Sequence, residues 1–134
     1  MSVMFGKPIK IHKSRMLLMA GVGYLLALVA AHAGEADVVA AKHAKAADGT
    51  YRFDVTVRHA DAGWEHYADK WQVTGSDGIV YGVRVLAHPH DNEQPFTRSQ
   101  SGIAIPDDVS TVTLRAHDKV HGWGGAELEV KLAE

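Results

Sequence analysis

The sequence predicts an all-β protein, an immunoglobulin- or fibronectin-III-like sandwich of about seven strands, and two observations carry this prediction. Apolar and polar residues alternate at period two from Tyr51 to Arg58, as expected for a strand with one buried and one wet face. Glycine- and aspartate-containing turn signals, such as Ala47-Asp48-Gly49 and Ser76-Asp77-Gly78, separate similar segments. Short strands spaced by turns over about one hundred residues are typical of such sandwiches.

The predicted strands are labelled A, B, C, C′, E, F and G, as in those sandwiches. Their predicted ranges are 38–45, 51–59, 66–74, 79–87, 96–103, 111–117 and 126–132. Trp71 falls in the middle of strand C, where such sandwiches bury a tryptophan. The first segment is ambiguous, because the alanine-rich stretch 36–47 fits a helix as well as an edge strand.

Residues 1–33 are predicted to be a secretory signal peptide. A basic cluster at residues 7–15 precedes an apolar run of 15 residues, Met16–Ala30, and the small-x-small cleavage signal Ala31-His32-Ala33. The apolar run is shorter than the roughly 20 residues that cross a bilayer. We therefore expect cleavage after Ala33, one β-sandwich domain over 34–134, and a periplasmic or secreted protein without membrane contact after cleavage. Cleavage after Ala31 would instead expose His32 as an amino-terminal copper chelator.

Charge and sulfur content restrict the ligands of this domain. After residue 33 there are 10 basic and 16 acidic residues, a net charge of −6 with histidine neutral, which argues against nucleic acid or an anionic membrane as partner. The chain has no cysteine, and its four methionines all precede residue 20. The domain therefore offers a metal ion nitrogen and oxygen donors, among them seven histidines.

Six of these histidines are predicted to gather at one end of the sandwich. They flank the B to C loop, the loop after C′, and the F to G loop, which form one surface in variable-type domains. In His88-Pro89-His90 the proline favours an extended chain, so the two imidazoles are expected on one side. Neutral imidazole is the commonest metal ligand. The predicted metal ligands are His88, His90, His59, His66, His117 and His121.

Structural roles compete with ligation at each position. His59 and His66 could cap strand ends, and His117 could pair with Asp118. Nearby acidic residues could ligate an ion, orient an imidazole or remain solvated; they are Asp61, Glu65, Asp69, Asp91, Glu93 and Asp118.

The remaining side chains at this end of the sandwich are expected to have structural roles or to line the site. We expect Arg98 and Arg115 to pair with Asp69 or Asp118. Trp64 and Trp123 could wall the site or pack over the open end of the core.

A donor set of histidines and carboxylates without sulfur suits borderline divalent ions. Copper(II) ranks first and zinc second, because copper(II) binds most nitrogen and oxygen sites most tightly. A blue-copper centre is excluded, since it requires cysteine.

Several short motifs are distributed along the domain, from His59-Ala60-Asp61 through His66-Tyr67-Ala68-Asp69 and Glu93-Gln94-Pro95-Phe96 to His121-Gly122-Trp123. They resemble motifs of a group of small exported bacterial β-sandwich proteins without an established function. The resemblance covers most of the domain and implies export, with no residue roles.

The leading functional hypothesis is a periplasmic metal-binding protein that handles copper(II) or zinc. The alternative is an immunoglobulin-like module that binds a protein or peptide through the same loops, with Trp64 and Trp123 as anchors. An enzyme ranks third, because no Gly-x-Ser-x-Gly motif or other recognisable nucleophile is present. A metal-dependent reaction remains open, since a free coordination position can bind substrate or water.

Overall fold

The computed structural model describes residues 34–132, so the predicted signal peptide at residues 1–33 lies outside the described residues. Between residues 34 and 132 the chain forms seven strands and no helix. In chain order these strands are β1 (Asp37–Lys45), β2 (Tyr51–Arg58), β3 (Ala68–Thr74), β4 (Val80–Val85), β5 (Phe96–Ile103), β6 (Thr111–Asp118) and β7 (Leu128–Lys131).

Within this range there is accordingly no helix long and apolar enough to cross a membrane.

The strands form two antiparallel sheets, one of three strands in the order β1-β2-β5 and one of four in the order β4-β3-β6-β7. In the letters used above these are A-B-E and C′-C-F-G. The prediction of an all-β sandwich of about seven strands is confirmed. Each observed strand overlaps its predicted range, and no strand end differs from the prediction by more than two residues.

The alanine-rich first segment is a strand and not a helix. It pairs with β2 along its whole length, from Asp37 opposite Arg58 to Lys45 opposite Tyr51, with one irregularity near Val38. Pairing of the backbone with a neighbouring strand outweighs the helix propensity of alanine. His43 stacks on Phe53 of this neighbour, with ring centroids 5.9 Å apart, and takes no part in the histidine cluster described below.

The core lies between the two sheets and follows the predicted alternation. In β2 every second side chain from Tyr51 to Val57 is buried, and in β6 every second one from Val112 to Asp118. Trp71 is fully buried in β3, as predicted. The largest fully buried apolar side chains are Trp71, Phe53, Phe96, Leu86, Leu114, Val38, Val55, Val57, Val73 and Val112.

Strand pairing brings several loops to one end of the sandwich. The start of β1 lies opposite the end of β2, and the start of β3 lies opposite the end of β6, where Ala68 pairs with Asp118. The end of β4 and the start of β5 reach the same end, through Val85 opposite Lys70 and Phe96 opposite Val57. We call this the histidine end; it comprises residues 34–36, 59–67, 86–95 and 117–127.

Candidate metal centre

His59 is the buried centre of the histidine end. Its side chain is fully buried, directly after β2. Its Nδ1 lies 2.6 Å from Asp61 Oδ1, and Asp61 Oδ1 also accepts a hydrogen bond from the Ala68 amide. An ionised carboxylate can only accept, so Nδ1 carries the proton. In the neutral imidazole the lone pair is then on Nε2, the arrangement that carboxylate–histidine–metal sites use.

Asp118 lies on the Nε2 side of His59. Its side chain is fully buried at the end of β6. Oδ1 accepts hydrogen bonds from the Val120 and His121 amides at 2.8 and 2.6 Å, which fixes the carboxylate in the tight turn after β6. Oδ2 is buried, has no hydrogen-bond partner, and lies 3.6 Å from His59 Nε2. A buried carboxylate oxygen without a partner is costly unless a cation compensates it.

Two further histidines lie on the open side of Asp118. His66 Nε2 is 3.5 Å from Asp118 Oδ1, and its side chain is 27% exposed. His121 Nδ1 is 3.3 Å from the same oxygen, with 35% of its side chain exposed. The ring of His66 lies between the other two, with centroids 4.8 Å from His59 and 5.0 Å from His121. An ion could therefore reach the centre from solvent on this side.

The backbone of Gly34 contacts two imidazoles of the same group. Its carbonyl oxygen is 3.3 Å from His59 Nε2 and 3.3 Å from His66 Nε2. Gly34 has a φ of +86°, and a Cβ at this position would lie 2.8 Å from Cε1 of His121. Both the left-handed backbone and the close approach of this imidazole require glycine here.

These distances match the dimensions of a metal site. One donor atom from each of His59, His66 and Asp118 can be chosen so that all lie within 4.8 Å of one another. Bond lengths of about 2.0–2.2 Å to zinc place donors of a tetrahedral site about 3.3 Å apart. The contacts of 3.3 to 3.6 Å in this group are of this size, and the remaining donor separations, which lie within 4.8 Å, would shorten around one ion.

The electrostatics of the centre also favour a cation. Burial by itself raises the pKa of Asp61, but the hydrogen bond from His59 and the amides of His90 and Ala68 lower it below its usual value. Burial likewise opposes ionisation of Asp118, while the His121 and Val120 amides and the charge of His59 lower its pKa overall. Two buried carboxylates are thus ionised around neutral pH.

The pKa of His59 responds to the same charges. Burial alone lowers it, but the hydrogen bond to Asp61 and the charges of Asp61 and Asp118 raise it overall. Either a proton on His59 or a metal ion can balance the carboxylates.

His90 and His88 form a neighbouring pair outside this group. His90 is buried, stacks on Phe96 with centroids 3.9 Å apart, and its amide donates to Asp61 Oδ2. Asp61 therefore lies between His90 and His59. The exposed His88 ring is 4.7 Å from that of His90, so the structure places these two imidazoles side by side, as the extended His88-Pro89-His90 segment predicts.

The buried ring of His90 predicts a pH-dependent stability. Burial, and then the charges of Arg98 and His88, lower its pKa below 6.5. Unfolding restores the usual pKa, so the unfolded chain binds the proton more readily. The stabilising contribution of neutral His90 is complete above pH 6.5 and is lost as the pH falls toward the folded-state pKa.

We expect the difference in unfolding free energy between the native protein and a His90→Gln variant to shrink on acidification below pH 6.5. The change is at most about 1.4 kcal/mol per pH unit. Urea unfolding of both metal-free proteins from pH 8 to pH 5 measures it. A constant difference across this range contradicts the prediction.

His117 lies apart from the candidate centre. Its Nδ1 is 2.6 Å from Asp69, and its ring meets that of Trp123 at a centroid distance of 4.8 Å. The structure pairs His117 with Asp69, where the sequence suggested Asp118 as an alternative partner. Asp118 instead lies among His59, His66 and His121, because it is the last residue of β6 and its side chain points inward.

The predicted arginine pairs are wrong. Arg98 pairs with Glu93 at 3.0 Å, and Arg115 donates to Gln72 Oε1. Arg115 also lies over the ring of Trp123, 4.3 Å from its centroid. The two aspartates that were expected to bind arginine contact histidines instead. The register of β3 and β6 shifts between Ala68 and Lys70, and there the Asp69 carboxylate lies 2.6 Å from His117 Nδ1.

Trp64 lies at the rim of the histidine end. Its side chain is 63% exposed, with one edge against Tyr67. It borders an open groove of about 450 Å³ whose other lining is the segment 88–93. The alternative hypothesis of a protein- or peptide-binding module through these loops stays a prediction.

Every side chain of the candidate centre was predicted from the sequence, but the backbone of Gly34 was not. His59, His66 and His121 were predicted as ligands, and Asp61 and Asp118 as ligands or orienting groups. Gly34 carries no side chain and lies 25 residues before His59, so no motif points to it. Only the pairing of β1 with β2 brings it to the site.

The chain is similar to a protein of Halomicrobium mukohataei whose name is "Putative lipoprotein", with 41% identity over 96 residues. The match covers 72% of this chain and 47% of that protein, so the chain spans about half the length of this curated relative. No family model matches. Among solved structures, a hypothetical protein from Pyrococcus horikoshii has 15% identity and a TM-score of 0.48; the match covers 77% of this chain and 89% of that one.

Proposed function

We propose that this protein is an exported metal-binding protein whose site consists of His59, His66 and Asp118, with His121 beside it. The single observation that carries the proposal is the Asp118 Oδ2 atom, buried and without a hydrogen-bond partner, 3.6 Å from Nε2 of His59. A metal ion bound between Asp118, His59 and His66 would compensate this oxygen and the charge of two buried carboxylates.

The donor set supports copper(II) as the first candidate and zinc as the second. Imidazole suits both ions, and copper(II) stands highest in affinity among first-row divalent ions. Asp61 would hold His59 in the tautomer that presents Nε2 to the ion, a role whose loss typically costs 10- to 100-fold in affinity. Exposure of His66 and His121 would let the ion exchange with solvent or a partner.

Export is supported by the amino-terminal sequence and by the name "Putative lipoprotein" of the Halomicrobium relative. We therefore propose a periplasmic or secreted location.

The test is calorimetric titration of the exported protein with copper(II) and with zinc(II). We expect one ion per chain with a sub-micromolar dissociation constant, and an increase in Tm on loading, because a ligand that binds only the folded state stabilises it. A ligand at 100 times its dissociation constant adds about 2.7 kcal/mol.

A double variant, His88→Ala with His90→Ala, is the matched control for this titration. Its binding should resemble that of the native protein, because neither imidazole belongs to the group around Asp118. Absence of binding in the native protein rules out the proposed function. Binding that disappears in a double variant that circular dichroism shows to be folded would place the site at His88 and His90 instead.

A further inference from the structure

The amino-terminal boundary of the domain coincides with the candidate metal centre. Cleavage after Ala33, the position favoured by the Ala31-His32-Ala33 signal, makes Gly34 the first residue of the mature chain. Gly34 is also the residue whose carbonyl oxygen lies 3.3 Å from Nε2 of both His59 and His66. The position of this backbone is set by the sheet, because β1 begins three residues later and pairs with the end of β2.

We propose that the mature amino terminus is part of the metal site, with the α-amino group and carbonyl oxygen of Gly34 as ligands of the ion that His59, His66 and Asp118 bind. This inference rests on the proposed function. An amino-terminal residue offers a nitrogen and an oxygen that close a five-membered ring on one ion. Such a nitrogen donor again suits copper(II).

Three features of the fold support this assignment. Asp118 Oδ2 is a buried carboxylate oxygen of the same group that makes no hydrogen bond. The His121 ring occupies the space that a Cβ of Gly34 would fill, so the terminal backbone is packed against an imidazole of the centre. Val38, four residues on, is held by a backbone bond from its amide to the Ala126 carbonyl. The terminus is thereby tied to the loop between β6 and β7.

With the Gly34 nitrogen as a ligand, cleavage of the signal peptide would change the donor set of the site. Before cleavage the Gly34 nitrogen is an amide, whose lone pair is delocalised into the carbonyl group, so it is a poor donor until its proton is displaced. After cleavage it is an amine with a pKa near 8, which a metal ion deprotonates readily. The complete donor set would then exist only in the exported, processed protein.

The test compares the exported native protein with a form in which one serine is inserted between Ala33 and Gly34. The insertion leaves the Ala31-His32-Ala33 signal and every residue of the domain in place, but moves the free amine one residue away. Intact-mass spectrometry defines the first residue of each mature form. Titration with copper(II) and the nitrogen splitting in its electron paramagnetic resonance spectrum then report affinity and the number of nitrogen donors.

We expect the native mature chain to begin at Gly34. The insertion should weaken copper(II) binding by at least about tenfold, the lower end of the cost of losing even an orienting group, and should remove one nitrogen donor from the spectrum.

A native chain that begins elsewhere overturns the inference, as do equal affinity and equal spectra in the two forms. If the two forms have equal affinity and equal spectra but Asp118→Asn loses copper(II) binding, the inference fails and the proposed function stands. Failure of both forms to bind copper(II) and zinc(II) overturns the inference together with the proposed function.

Discussion

Replacing Asp118 with asparagine is expected to weaken binding of copper(II) or zinc(II) by at least about 100-fold, or about 2.7 kcal/mol. The variant keeps the size of the side chain and an oxygen that can accept the Val120 and His121 amides. It removes the negative charge and the unpartnered oxygen that lies 3.6 Å from His59 Nε2. Loss of binding would therefore reflect loss of a ligand and not loss of the turn after β6.

The matched control is Asp69→Asn at the same end of the sandwich. Asp69 also binds an imidazole, that of His117 at 2.6 Å, but it lies outside the group around Asp118. Calorimetric titration should give native affinity for this variant, and circular dichroism should show both variants folded. Equal losses in the two variants, or none in Asp118→Asn, contradict the assignment of Asp118 as a ligand.

Replacing Trp71 with alanine should lower the free energy of unfolding by about 3–5 kcal/mol. The side chain is fully buried in the middle of β3, between the register partners Arg84 of β4 and Ala116 of β6. A chain with no cysteine has no disulfide to offset such a cavity. Since domains of this size have about 5–15 kcal/mol of stability in total, the variant should be close to unfolding at room temperature.

Urea unfolding followed by circular dichroism measures this loss. Trp71→Phe should cost less, because it fills most of the volume and removes an indole Nε1 that has no hydrogen-bond partner. Val120→Ala, at a residue that is 59% exposed, should change stability by less than about 0.5 kcal/mol. A small effect of Trp71→Ala would mean that the core between the sheets is not packed as described.

The strand pattern was predictable because it depends on local periodicity. The alternation in β2 and the turn signals at 47–49 and 76–78 fix strand ends to within one or two residues. The segment 36–47 was ambiguous, since alanine satisfies a helix and an edge strand alike. Its structure is decided by backbone pairing with β2, a contact between different parts of the chain.

The residue types of the candidate centre could be predicted from the sequence, but which of these residues share one site was less predictable. The predicted positions of the loops placed six histidines at one end of the sandwich, and the strand order places them there. Their division into three groups depends on distances of a few ångströms. The groups are His59, His66 and His121 around Asp118, His88 with His90, and His117 with Asp69. Asp61 lies between His59 and His90, and Asp69 binds His117.

The sequence by itself determined the class of fold, the absence of sulfur ligands and the supply of histidines, because composition and period-two patterning are local properties. Only the tertiary structure decided which imidazoles share a carboxylate, that Asp118 is buried with one oxygen that makes no hydrogen bond, and that the Gly34 carbonyl contacts the same imidazoles. The physical reason is that these contacts join β1, β2, β3 and β6 across two sheets. Their geometry is set by strand register and core packing, which no single segment encodes.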